Sequence, residues 1–109
     1  MENIAIWNKI PYNSAVCWKV VFSKKATKQK EKLPEHIQEI LAALVIDIEA
    51  GGPVRGDWAH YSKLSAPNTH HCHLNKRGRP TFVACWSVKD KTIQIVEVYY
   101  VGTREKAPY

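Results

Sequence analysis

Cysteine is scarce in this chain of 109 residues, and the chain has no long hydrophobic run. The three cysteines, Cys17, Cys72 and Cys85, are odd in number and widely spaced, which argues against a disulfide framework and for a reducing compartment. No apolar stretch approaches the roughly 20 residues that cross a bilayer. The chain does not begin with a basic region followed by a long apolar one, so no secretory signal is predicted. We therefore expect a cytoplasmic protein with no membrane partner.

Acidic residues are outnumbered, because 16 Lys+Arg face 10 Asp+Glu and the net charge is +6. Residues 1–50 hold seven bases and six acids, or +1, whereas residues 51–109 hold nine bases and four acids, or +5. An excess of positive charge in the second half is consistent with an anionic partner such as nucleic acid. A basic surface that only keeps the protein in solution would give the same distribution.

The length corresponds to one domain, since domains of about 100–150 residues are the commonest. Residues 1–15 show no clear period, so we predict an N-terminal extension there and a single domain over 16–109. The β-branched and aromatic residues of 16–22 favour a strand. Ser23 is a suitable N-cap for a lysine-rich helix over 24–32.

A second helix is predicted by a continuous apolar stripe that begins shortly after Pro34. Gly51, Gly52 and Pro53 predict its end, because glycine adopts the left-handed conformation that closes a helix and proline cannot continue one. The stripe has the steps of three and one that are typical of one helix face. Its members are Ile37, Ile40, Leu41, Leu44, Val45 and Ile48.

Residues 53–69 are predicted to form a loop, followed by strands over 70–75, 80–88 and 92–101. Two helices that precede a run of strands joined by short turns favour an α+β fold. We predict an N-terminal strand and a helical hairpin packed on one face of a mostly antiparallel, four-stranded sheet. The other face would then be free to form a concave site.

Four of the five histidines lie between residues 60 and 73. In a strand, His71 and His73 point to one face, while His70 and Cys72 point to the other. A partly exposed pair of imidazoles suits proton transfer near neutral pH. Ordinary half-exposed strand residues would have the same spacing.

Zinc is a weaker alternative for the same histidines. A structural zinc site needs four ligands and a catalytic one needs three, so Cys85 and His60 would have to complete a site with His71 and His73. The sequence has no Cys-x-x-Cys or His-Glu-x-x-His spacing. We therefore predict neither a metal nor another cofactor.

Two places in the sequence offer cations that could hold phosphate groups: a cluster in one turn, and a single arginine after a strand. Lys76, Arg77 and Arg79 surround a glycine in a predicted turn, and arginine binds phosphate through two parallel hydrogen bonds. Arg104 follows a strongly apolar strand, and rigid structure is what a catalytic cation requires. A solvated turn and a surface arginine are the alternatives.

Several segments together resemble the RelE/ParE superfamily of type II toxins. The order of elements matches, and the resemblance covers about residues 16–109. The closing Gly-x-Arg-Glu is the most specific segment. The matching segments are Lys63-Leu64, His71-Cys72-His73-Leu74, the glycine turn, Trp86-Ser87-Val88 and Val101-Gly102-Thr103-Arg104-Glu105.

The resemblance implies a toxin that a co-encoded antitoxin holds inactive, in a complex that binds operator DNA. The RelE-like branch cleaves mRNA on the ribosome, using the RNA 2′-hydroxyl as nucleophile and no metal. The ParE-like branch inhibits DNA gyrase and lacks the nuclease residues. We expect the first activity; gyrase inhibition and nucleic-acid binding without catalysis remain alternatives.

The resemblance also implies roles for individual residues. His71 and His73 fall where RelE-type members have two functional lysines, and Arg104 falls on the arginine after the last strand. Tyr109 lies close to a C-terminal tyrosine of the family. These four are the expected catalytic residues. The expected RNA- or phosphate-binding residues are Lys63, Lys76, Arg77 and Arg79.

Overall fold

The structure is a computed structural model and describes residues 18–109. The predicted extension over 1–15, and residues 16 and 17 of the predicted first strand, lie outside the described residues. No helix within the described range is long and apolar enough to cross a membrane. The elements are β1 (Lys19–Phe22), α1 (Lys24–Glu31), α2 (Glu35–Gly51), β2 (Ser62–Lys63), β3 (Thr69–His73), β4 (Phe82–Asp90), β5 (Ile95–Thr103) and a 3₁₀ turn (Arg104–Lys106).

The strands form one sheet in the order β1-β5-β4-β3-β2. β1 runs parallel to β5, and every other pair is antiparallel. The predicted α+β class is confirmed, but the sheet has five strands rather than four. The additional strand is β2, which comes from the predicted loop over 53–69. A strand of two residues is too short to show an alternating pattern, and it exists because Ser62 and Lys63 pair with His71 and His70.

Both helices begin and end close to the predicted positions. The Ser23 hydroxyl accepts a hydrogen bond from the Ala26 N–H at 3.0 Å, which satisfies a donor that the first turn leaves free. α2 ends at Gly51, and Gly52 has a φ of 96°, a conformation that favours glycine. The stripe of α2 is buried along its centre at Ile37, Leu41, Leu44 and Ile48.

Strand ends differ from the prediction where side chains bond the backbone. β4 begins at Phe82 because the Asn75 side chain closes the preceding turn and accepts a hydrogen bond from the Phe82 N–H at 2.8 Å. β4 extends to Asp90, whose carboxylate accepts from the Thr92 and Ile93 N–H groups at 2.8 and 3.0 Å. The turn therefore follows Asp90 instead of including Lys89.

The main core lies between the helices and one face of the sheet, around the fully buried Trp86. Its indole N–H donates to the Pro53 carbonyl at 2.9 Å, so the ring is buried without an unpaired donor. The prediction that the opposite face is free is wrong in part, because Val83, Cys85 and Tyr100 form a second buried cluster there. The concave region is confined to the part of that face that this cluster leaves open.

We predict that Leu41→Ala lowers the free energy of unfolding by about 2–5 kcal/mol, because it leaves a cavity in a close-packed core. Leu41 is 1% exposed, whereas Ile46 on the same helix is 62% exposed. Ile46→Ala is the matched control, and its effect should stay within about 0.5 kcal/mol. Urea unfolding of both variants measures the difference. Equal effects would contradict the position of α2 on the sheet.

Candidate active site

One surface cavity, about 510 Å³ in volume, gathers the residues from which acid–base chemistry was expected. β3 contributes His71 and His73, and the segment after β5 contributes Arg104 and Tyr109. These four predicted residues meet although more than thirty positions separate the two pairs in sequence. The cavity is completed by two residues of the loop before β2, which are His60 and Tyr61.

His71 forms the inner wall of the cavity. It is 8% exposed, so the expectation of a partly exposed imidazole is wrong for this residue. Ser62 of the unpredicted strand β2 lies over it with its Oγ 3.1 Å from the His71 Nδ1, and the Tyr109 ring packs against it at 4.5 Å between centroids. Burial is the main cause that lowers the pKa of His71; a hydrogen bond to the Ser62 backbone opposes this shift, and Arg104 and His60 add to it.

His73 is half-buried and more accessible than His71. Its ring stacks on His60 with 4.3 Å between centroids, and its centroid lies 6.2 Å from that of His71. Burial is the main cause that lowers the pKa of His73, and the nearby His60, His71 and Arg104 act in the same direction. At pH 7 His73 is therefore mostly neutral and can accept a proton.

Arg104 is positioned by a backbone turn that requires glycine at position 102. The Tyr100 hydroxyl donates to the Thr103 carbonyl at 2.7 Å. A Cβ on Gly102 would lie 2.7 Å from that hydroxyl, which is closer than a side chain can approach. The Arg104 N–H in turn donates to the Thr81 carbonyl at 2.8 Å. The peptide group between Thr103 and Arg104 is thus hydrogen-bonded through both its carbonyl and its N–H, and the exposed side chain of Arg104 lines the cavity from this fixed position.

Tyr109 covers the cavity and is 52% exposed. Burial against its neighbours raises the pKa of the Tyr109 hydroxyl, although the positive charge of Arg104 acts in the opposite direction. The phenol consequently keeps its proton at neutral pH and is available as a hydrogen-bond donor.

The four predicted phosphate-binding residues are divided by the fold. Arg79 and Arg104 line one groove of about 550 Å³, and Lys76 and His73 line another of about 370 Å³, so both grooves adjoin the histidine cavity. Lys63 pairs with His70 across β2 and β3 and lies on the opposite face of the sheet. Arg77 is exposed in its turn and lines none of these grooves.

Of the residues weighed for zinc, His60, His71 and His73 line the same cavity, but they are not arranged as a metal site. Among residues 18–109, no three His, Cys, Asp or Glu side chains are arranged to hold a metal ion. Cys85 is fully buried, and burial raises the pKa of its thiol to about 12.

His70 belongs to the core side of the sheet, as the alternation along β3 predicts. It is 4% exposed, and its Nδ1 lies 2.7 Å from the Tyr61 hydroxyl. Its ring stacks on Trp86 at 5.9 Å between centroids. Burial is the main cause that lowers the pKa of His70, with a smaller contribution from the charge of Lys63.

Sequence reasoning did not assign His60 to a catalytic site. It lies in a loop without apolar period, so no pattern indicates which way its side chain points. The only available signal was its place among the four histidines of residues 60–73.

Comparison with known proteins gives similarity in structure only. No protein-family profile matches the chain, and no curated protein is similar to it in sequence. A variant of the E. coli toxin RelE in the free state superimposes with a TM-score of 0.64 at 18% identity, over 84% of this chain and 87% of that chain. This chain has the RelE fold.

Two complexes extend the comparison. A chain of the archaeal RelE–RelB complex of Pyrococcus horikoshii matches this chain with a TM-score of 0.62 at 15% identity, over 84% of this chain and 99% of that chain. A chain of the YoeB–YefM complex of Staphylococcus aureus matches this chain with a TM-score of 0.59 at 13% identity, over 80% of this chain and 97% of that chain. The RelE fold therefore accounts for most of the described chain.

We predict that acid destabilises this RelE-like domain. His70, His71 and His73 have folded-state pKa values below 6.5, so between those values and 6.5 the unfolded chain binds more protons. The stability is therefore complete above pH 6.5 and decreases as the pH falls below it. Urea unfolding at about pH 7.5 and about pH 5.5 measures the decrease.

The matched variants for that measurement are His70→Phe and His36→Gln. His70→Phe keeps a ring against Trp86 and removes one of the three titrating groups, so it should reduce the loss of stability between the two pH values. His36 is exposed on α2, and His36→Gln should leave the loss unchanged. A His70→Phe protein with the full acid dependence would contradict the buried position of His70.

Proposed function

We propose that this protein is the toxin of a type II toxin–antitoxin system, a metal-independent endoribonuclease that cleaves mRNA on the ribosome. The observation that carries the proposal is the meeting of His71, His73, Arg104 and Tyr109 around one open cavity. The RelE fold supports it, because proteins of that fold include toxins solved alone and in complexes.

The reaction is an in-line displacement at phosphorus. The 2′-hydroxyl oxygen attacks the adjacent phosphorus, the bond from phosphorus to the 5′-oxygen breaks, and the product ends in a 2′,3′-cyclic phosphate. A base must take the 2′-hydroxyl proton, an acid must protonate the leaving 5′-oxygen, and cations must stabilise the charge of the transition state. The nucleophile belongs to the substrate, so the protein need supply only these three functions.

His73 is the better candidate for the base. Its pKa is lowered by burial and by the neighbouring His60, His71 and Arg104, so it is mostly neutral at pH 7, and it is less buried than His71. His71 has Ser62 against its Nδ1 and Tyr109 against its ring. We assign His71 to orienting the substrate and the surrounding groups rather than to accepting the proton.

Arg104 and Tyr109 serve the other side of the reaction. The guanidinium of Arg104 holds its proton too tightly to be an acid, so it stabilises the negative charge on the phosphoryl oxygens. The Tyr109 hydroxyl is protonated at neutral pH, because its pKa is raised, and it is the group that can give a proton to the leaving oxygen. Arg79 lies across the adjoining groove from Arg104 and binds the next phosphate along the strand.

We propose a co-encoded antitoxin as the protein partner and the ribosome with its mRNA as the target, both in the cytoplasm. The structural neighbours RelE and YoeB were solved in complexes with RelB and YefM. The excess of positive charge over residues 51–109 favours both RNA and an acidic antitoxin segment. The antitoxin complex would bind operator DNA.

We predict that His73→Ala and Arg104→Ala each abolish growth arrest after induced expression, because they remove the base and the charge stabilisation. A lost general base costs about 10²–10⁴-fold in rate. Lys63→Ala is the matched control, because Lys63 is a cation on the opposite face of the sheet, and it should remain toxic. Full toxicity of both active-site variants would remove the proposed site.

We also predict that a single 2′-deoxy nucleotide at the cleavage position prevents cleavage of a ribosome-bound mRNA, because the nucleophile is missing. Primer extension locates the cleavage on the all-ribose mRNA. Cleavage of the deoxy substrate would contradict the mechanism. Arrested cells with intact mRNA and a DNA-damage response would indicate gyrase inhibition instead, and operator binding without any arrest would indicate a nucleic-acid-binding module.

A further inference from the structure

His60 lies in the active-site cavity, yet the proposed chemistry assigns it no step. Its ring stacks on His73, with 4.3 Å between centroids and 27° between the ring planes. Its backbone φ is 53°, in the left-handed region that side-chain-bearing residues rarely adopt. Such a conformation persists only where the surrounding structure holds it, and functional sites are one place where it is found.

The loop around His60 is held on both sides of that residue. Three hydrogen bonds hold it: one joins the loop to α2, and two join it to β3, the strand that carries His73. His60 therefore stands on a fixed backbone, and its contact with His73 does not depend on a mobile loop. The bonds join Trp58 Nε1 to Asp47 Oδ2 (2.9 Å), the His73 N–H to the Ala59 carbonyl (2.9 Å) and the Tyr61 hydroxyl to His70 Nδ1 (2.7 Å).

The ring of His73 needs such support because of the geometry of its own side chain. The outer torsion of a histidine has a broad minimum, so the direction of the ring edge is poorly fixed without a neighbour. A general base must present its nitrogen within about 2.6–3.2 Å of the proton donor. A flat partner against one face of the ring restricts that torsion while leaving the edge open to the cavity.

We propose that His60 is a positioning residue that holds the His73 imidazole at the angle from which it accepts the 2′-hydroxyl proton of the RNA. The inference rests on the proposed function, and it deepens it by naming the group that orients the base. His60 acts through His73 and takes no proton from the substrate itself.

The charges around His73 are consistent with this role. His60 and His71 face it within the cavity, Arg104 faces it from the end of β5, and Asp57 and Lys76 line the groove on its other side. Burial and the charges of His60, His71 and Arg104 all lower the pKa of His73. Removing the His60 ring takes away part of the cover over His73 and one of the groups that lower its pKa, so the pKa of His73 should rise.

The test compares His60→Ala with His60→Phe, because phenylalanine keeps a flat ring but carries no charge. The titration of the His73 ring is followed by NMR, and single-turnover cleavage of ribosome-bound mRNA is measured from about pH 5.5 to about pH 8. In His60→Ala we expect His73 to titrate at a higher pH and cleavage at neutral pH to fall about tenfold or more. His60→Phe should restore most of the rate. The control is His36→Ala, a histidine on the exposed side of α2, and it should change neither quantity.

An unchanged His73 titration together with an unchanged rate in His60→Ala would overturn the proposal. So would a His60→Phe variant as slow as His60→Ala, because stacking would then be irrelevant. The two proposals fail separately. Full cleavage by both His73→Ala and Arg104→Ala overturns the proposed function, whereas cleavage that these two variants abolish but His60→Ala leaves unchanged overturns only the role of His60.

Discussion

The register of β3 in the sheet determines the whole site. Cys72 at its centre is fully buried under the helices, and side chains alternate along a strand, so His71 and His73 must emerge on the far face. A slip of one residue would bury both imidazoles in the main core and expose Cys72. The hydrogen bonds of β3 to β4 on one side and to β2 on the other therefore fix the face that carries the candidate site as well as the sheet.

The sequence was sufficient for the parts of the fold that depend on local pattern. The stripe of α2, the Ser23 cap and the glycines after the helix all act through neighbours a few residues away, so their consequences are visible along the chain. β2 could not be predicted, because its two residues become a strand only when β3 is beside them. The contact of Ser62 with His71 could not be predicted for the same reason, because it exists only when β2 pairs with β3.

The candidate site was predictable to a similar extent. Alternation along a strand places His71 and His73 together, and family resemblance indicated Arg104 and Tyr109, which the sequence alone leaves more than thirty positions away. Lys63 and Arg77 were grouped with them by charge, but the side on which a cation lies depends on register and turn geometry. His60 was missed as a catalytic-site residue because a loop residue with a φ of 53° has no periodic neighbours that indicate its direction.

The parallel pairing of β1 with β5 has a consequence for how the domain is made. β5 is the last strand in the chain, yet it lies between β1 and β4, so among residues 18–109 a polypeptide synthesised only as far as β4 lacks the strand that pairs with β1. Arg104 follows β5 directly. A nascent chain on the ribosome therefore lacks both the strand that joins β1 to β4 and the guanidinium of Arg104, and the cavity can assemble only when translation of the domain is almost complete.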